Sequence, residues 1–184
     1  LPLKKSAVSA TSSPSLPPVL AVPAGQDLFR LAEQLAHTAD RAQREAMLLT
    51  LIRAGDADIA EHLISLLPAA DVTLRNELLD ALRDMDDVAS LPAARLLNNP
   101  DVNLRIYALS ILENARDPAL GDWLAGLLGY ETEINVCATA VEILSEVGSS
   151  SHVPLLKTLK LRFPQSPFMA AVVDAAVARL DGDD

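Results

Sequence analysis

The residues of this chain that could do chemistry are few and far apart. His37, His62 and His152 stand on well-separated stretches, whereas a metal site built from imidazoles needs ligands that converge, usually at short helical spacings. Glu61-His62 is a single acid–imidazole dipeptide with no second copy. The three histidines therefore read as surface or satisfied polar residues. One cysteine, Cys137, excludes an intramolecular disulfide and a multi-cysteine zinc site. Its apolar helical setting makes it a small core residue rather than a reactive thiol. Asp84, Asp86 and Asp87 cluster where a helix meets a turn; a solvated turn with capping suits them better than a calcium site. No glycine-rich phosphate loop, nucleophile elbow or paired His-Cys motif occurs. No catalytic residue, cofactor site or metal site is assigned, and the chain is read as a non-enzyme.

The scaffold that would position any site is bounded by composition. At 184 residues the chain suits one domain, able to remove roughly 70% of its unfolded surface from water. Half the residues are apolar and only 3% are aromatic, so the core must be built of Leu, Ala, Val and Ile, a mix rich in helix formers. Residues 1–26 differ: a Ser/Pro-rich stretch through Pro17-Pro18 has no helical period. It reads as a flexible N-terminal tail or linker, partly polyproline, ahead of a body at 27–181. The N-terminus lacks the apolar run of a secretory signal. A first residue of Leu rather than Met fits a fragment or a processed product. No apolar run is long enough for a membrane span, and the cytoplasm is the expected location. From Asp27 onward the chain holds 13 basic and 25 acidic residues, a net −12. Such a body repels phosphate backbones, which disfavours nucleic acid as a partner. It suits a basic or mixed protein partner, or solubility alone.

Helix signals punctuate the body. Asp117-Pro118 and Ser166-Pro167 each set a capping side chain before a proline suited to a first helical position. Asp40, Asp71 and Asp101 likewise open apolar-periodic runs, and Gly55, Gly129 and Gly148 follow such runs as candidate left-handed closures. These signals predict ten helices, near 28–37, 40–53, 57–67, 71–84, 88–97, 101–114, 118–128, 133–147, 152–162 and 166–180. No alternating strand pattern competes with them, and the expected fold class is all-α.

The helices repeat in pairs. Residues 71–82 and 101–112 share Asp, Val, Leu, Arg and Leu at matching places, 30 residues apart. Aligning the second helix of each pair sets Arg41, Asp71, Asp101, Glu133 and Gln165 in register. A period of this size marks stacked helical hairpins, because one pair cannot bury its apolar face alone.

In these two segments the sequence resembles the HEAT repeat family, whose second helix reads approximately Asp-x-x-Val-Arg-x-x-Ala-x-x-Ala-Leu. Asp101, Leu104, Arg105, Ala108, Ile111 and Leu112 match it, as do Asp71, Leu74, Arg75, Leu78, Ala81 and Leu82. The resemblance implies a right-handed α-α superhelix, or solenoid, of about five HEAT-like hairpins with second helices lining its concave side. It also implies that Asp71, Arg75, Asp101 and Arg105 form a structural ladder tying successive repeats together. The first repeat has Arg41 and Glu45 at these places, the fourth Glu133 and Cys137, and the fifth Gln165 and Met169. The ladder is therefore expected in the central repeats only.

Enzymes of this architecture set tests that the residues do not meet. The metal-dependent hydroxylases of this kind use repeated His-Glu dipeptides, and no histidine here precedes a glutamate. The DNA glycosylases of this kind use a basic, aromatic channel, whereas the second helices here carry Glu77, Asp80, Glu142 and Asp174. A bilin-lyase-like or assembly enzyme is the rival hardest to set aside, though few aromatics line any cavity for a tetrapyrrole. A domain that packs within a larger polypeptide is a further rival. Helical spacing places residues 73, 77, 80 and 84, then 103, 107, 110 and 114, then 135, 139, 142 and 146 toward solvent on the second helices. In this stripe Glu77, Asp80, Asn103, Tyr107, Ser110 and Glu142 are the expected contacts, with Tyr107 as central anchor. Trp123, on a first helix, reads as core or convex surface. The expected function is a non-enzymatic adaptor or scaffold that binds a basic or amphipathic protein or peptide, without cofactor, nucleic acid or membrane.

Overall fold

The computed structural model of the chain describes residues 25–182, apart from the side chain of Asp87. These residues form ten α-helices and no strand. They are α1 (Gly25–Leu35), α2 (Arg41–Ala54), α3 (Ala57–Leu66), α4 (Val72–Asp84), α5 (Asp86–Leu96), α6 (Val102–Leu112), α7 (Leu120–Tyr130), α8 (Ile134–Val147), α9 (Val153–Arg162) and α10 (Pro167–Gly182). Up to position 24 the expected tail lies outside the described residues; Gly25 and Gln26 already belong to α1.

Each odd-numbered helix packs on the even-numbered helix that follows it. The even-numbered second helices also pack on one another in chain order, from α2 through α10. Among the first helices, α1 packs on α3, α3 on α5 and α7 on α9. One continuous core runs from Leu28 to Leu180, built almost wholly of Leu, Ala, Val and Ile, with Leu109, Leu112, Leu124 and Leu144 fully buried. Truncating one such leucine to alanine costs about 2–5 kcal/mol. The core is thus a chain of local contacts, and each hairpin is held chiefly by its neighbours.

The caps reset the repeat register. Asp40 accepts from the Gln43 N–H, Asp71 from Leu74 and Asp101 from Asn103, each at the start of a second helix. Glu133 holds the same place before α8, and the Ser166 hydroxyl accepts from the Met169 N–H at the start of α10. Asp40 and Ser166, not Arg41 and Gln165, are therefore the counterparts of Asp71 and Asp101. The expected register slips by one residue in the first and last repeats, because the connecting turns differ in length while the caps do not move. Four residues after the caps stand Arg44, Arg75, Arg105, Cys137 and Ala170.

Of the three candidate glycine closures, only Gly55 adopts the left-handed conformation, with φ of 58°. Gly148 ends α8 with extended backbone, and a Cβ there would lie 2.5 Å from the Leu144 carbonyl oxygen. Gly129 sits inside α7, which runs on to Tyr130. The last turn of α7 is instead closed from outside: the Arg162 guanidinium donates to the carbonyls of Leu128, Gly129 and Glu131. Asp117 accepts from the Ala119 N–H as expected, yet α7 begins at Leu120, after a turn at Pro118 and Ala119.

Candidate functional site

The expected Asp–Arg ladder does not form. Neither Asp71 nor Asp101 is ion-paired with an arginine of its own or a neighbouring repeat among the described residues; both are occupied as N-caps. The arginines do the tying alone. Arg44 donates to the Thr38 and Ala39 carbonyls behind it and forks onto Glu77 of the next hairpin at 2.6 and 3.0 Å. Arg75 donates to the Leu67 and Ala70 carbonyls and lies over the Tyr107 ring, 5.5 Å from its centroid. Arg105 donates to the Asn99 and Pro100 carbonyls and forks onto Glu131 at 2.6 and 3.1 Å. A guanidinium suits this work: its planar fork serves a carbonyl behind and a carboxylate or ring ahead at once. The first repeat is included, contrary to expectation, because Asp40 and Arg44 carry the same spacing as Asp71 and Arg75.

Position 137 lacks the arginine. The Cys137 thiol lies 3.6 Å from the Glu131 carbonyl oxygen, and Arg162 reaches that oxygen from α9. Burial pushes the Cys137 thiol up to about 11, so it is an inert core group at neutral pH. Glu131 is buried with Arg105. Burial pushes its carboxyl upward, but the Arg105 hydrogen bond and the Glu133 and Thr132 N–H groups outweigh this and hold it below its usual range. Glu77 is likewise held low, first by the Arg44 hydrogen bond.

These contacts revise the expected stripe. Glu77 is paired with Arg44, and Tyr107, at the equivalent place on α6, is half-buried against the core under Arg75. Tyr107 is thus a platform for the preceding hairpin as well as a surface residue. Asp80 pairs with Arg83, which also donates to the Ser110 carbonyl and hydroxyl across α4 and α6. Asn103, Asn114, Asn135, Thr139 and Glu142 are exposed as expected. Asp84 and Glu142 have no cationic partner among the described residues. The stripe stays net acidic, but less so than its sequence suggests.

Two open grooves follow this face. One, of about 270 Å³, lies between α2 and α4 and is lined by Leu49 and Ile52 together with Arg41, Glu45, Asp80 and Asp84. The other, of about 410 Å³, joins α6, α8 and α10 around Asn114, Glu142, Glu146 and Arg179. On the opposite row of helices Trp123 is half-buried and lines a groove of about 260 Å³ between α5 and α7, beside Tyr130. The Tyr130 hydroxyl donates to Asn98 there.

The residues with potential for chemistry do not meet. His37 is exposed at the end of α1, His62 packs against the Phe29 ring edge, and the His152 Nδ1 accepts from the Ser149 N–H. Asp86 holds the Ser90 hydroxyl and the Arg116 N–H. Among the described residues no three His, Cys, Asp or Glu side chains gather to hold a metal ion, and no helix is long and apolar enough to cross a membrane. No family model, curated protein or solved structure matches this chain.

Proposed function

We propose that the chain is a non-enzymatic adaptor: a short, right-handed HEAT-like superhelix that binds a basic or amphipathic protein segment on its concave, second-helix face. The observation that carries this is the row of exposed polar side chains crossing α4, α6 and α8, whose charged members are all acidic. Second helices stacked in chain order, with Asp caps and inter-repeat arginines at a 30–31-residue spacing, support the HEAT-like stacking. Acidic groups on such a face speed encounter with a basic partner and discriminate against acidic ones more than they add raw affinity.

Affinity capture tests this, with the folded chain and its Asp80→Lys/Glu142→Lys variant as parallel baits at low and moderate salt. A true partner is held by the parent, released as salt shortens the screening length to about 8 Å, and lost from the variant. Capture of every partner equally by both baits refutes the assignment to this face.

A further inference from the structure

The corrected register exposes a second property of this face, one that rests on the adaptor reading above. Counting two, six, nine and thirteen residues from each cap gives one row per second helix. On α4, α6 and α8 these rows are the polar stripe already described. On α2 the row is Ala42, Ala46, Leu49 and Arg53; on α10 it is Phe168, Val172, Ala175 and Arg179. The spacing of four, three and four keeps each row on one side of its helix. Contacts place both rows on the same face as the polar stripe. Leu49 shares its groove with Glu77, Asp80 and Asp84 of α4, and Arg179 bonds Glu146 of α8 at 3.3 Å.

Each outer row carries one large exposed apolar side chain. Leu49 is 45% exposed and Phe168 54%, two of nine large apolar side chains left exposed among the described residues. Phe168 is one of only six aromatic residues in the chain. End repeats of a stacked array are ordinarily polar where they meet solvent; Val172 packs in part against the core, whereas Leu49 and Phe168 stand exposed on this face. They flank a centre whose row residues include Glu77, Asp80, Asp84, Glu142 and Glu146 and no cation.

We infer that the face is bipartite and takes one continuous protein segment, with an apolar anchor near each end and basic residues between. One anchor sits on Leu49 at the α2–α4 groove and the other on Phe168 and Val172 of α10. The basic stretch crosses Asp80, Asp84 and Glu142. Charge complementarity selects the middle of the segment, and desolvation of the two pads supplies hold at its ends. Helices pack about 8–10 Å apart, so four steps from α2 to α10 span about 32–40 Å. An extended segment of about 10–12 residues covers that distance.

The test is selection of phage-displayed random peptides of about sixteen residues on the full 184-residue chain, followed by anisotropy titration of the synthetic winners. Expected winners carry basic residues between two apolar ones. Leu49→Glu and Phe168→Glu should each weaken them about tenfold, with unchanged thermal unfolding; Leu49→Ser and Phe168→Ser serve if a glutamate disturbs the fold. Winners that lose binding to Asp80→Lys/Glu142→Lys but ignore both pad variants overturn the bipartite inference and leave the adaptor reading standing. Winners indifferent to all these substitutions, or no winners at all, overturn both.

Discussion

Arg105→Ala removes the charged donor of the most enclosed ion pair in the described structure. Its partner Glu131 has a side chain only 3% exposed, and Arg105 itself is 10% exposed. After the substitution the carboxylate keeps two donors, the N–H groups of Thr132 and Glu133 at 2.8 and 2.9 Å. It loses its counter-charge, and the Asn99 and Pro100 carbonyls lose their donor. Breaking a buried pair by removing one partner costs about 3–5 kcal/mol; with two backbone donors retained, we expect about 3 kcal/mol, the lower end of that range. Replacing both members by methionine should recover most of the loss, because no charge is then stranded.

The pH dependence gives this prediction its sign. In the parent, the Glu131 carboxyl titrates below its unfolded range, so its contribution is present above about pH 4 and disappears as pH falls through the lowered value. Without Arg105 the largest influence lowering this carboxyl is gone, while burial and the two backbone N–H bonds remain, so it moves upward from its place in the parent. The variant then carries a penalty at neutral pH that protonation relieves. The gap between parent and variant in urea unfolding should be widest near pH 7 and narrow below about pH 4. Equal urea midpoints at pH 7, or a gap that does not change with pH, would refute the reading of Arg105–Glu131 as a desolvated pair.

Two further outcomes follow from particular atoms. Gly148→Ala sets a Cβ 2.5 Å from the Leu144 carbonyl oxygen, a backbone atom that cannot swing aside; thermal denaturation should show a loss of about 1–3 kcal/mol, and an unchanged melting temperature would mean that the end of α8 is looser than described. Cys137, buried and titrating at about 11, should resist iodoacetamide near pH 8 in the folded chain and react only under denaturant. Rapid native labelling would show that the α8 core opens locally.

Most of the fold was legible because its punctuation is local. An N-cap is read from one side chain and the apolar run behind it, and Asp71, Asp101 and Ser166 all cap as expected. What misled was the placing of Arg41 and Gln165, rather than Asp40 and Ser166, in register with Asp71 and Asp101. The caps fall 31, 30, 32 and 33 residues apart, so a register carried outward from the matching pair at Asp71 and Asp101 slips by one at each end. The cap rule alone, applied at Asp40, would have found Arg44. Closures made from a distance gave no local signal: Gly129 looks like a helix end, yet Arg162, more than thirty residues away, satisfies the carbonyls that a glycine turn would otherwise handle.

The site was less legible than the fold, for a related reason. Helical period says which side a residue faces but not what reaches it from the next repeat. Asp80 and Glu142 look alike in the sequence, yet Arg83 covers the first and no described cation covers the second. Tyr107 looks like an unpartnered aromatic until Arg75 is found above its ring. Counted from Ser166, Phe168 and Val172 of α10 stand in line with Asn135 and Thr139 of α8. With the slipped register, Pro167, Ala171 and Asp174 would have stood in that place, and the aromatic end of the face would have been missed. On the adaptor reading proposed above, cap geometry on the first and last second helices, rather than the number of acidic residues, sets which partner the face would take.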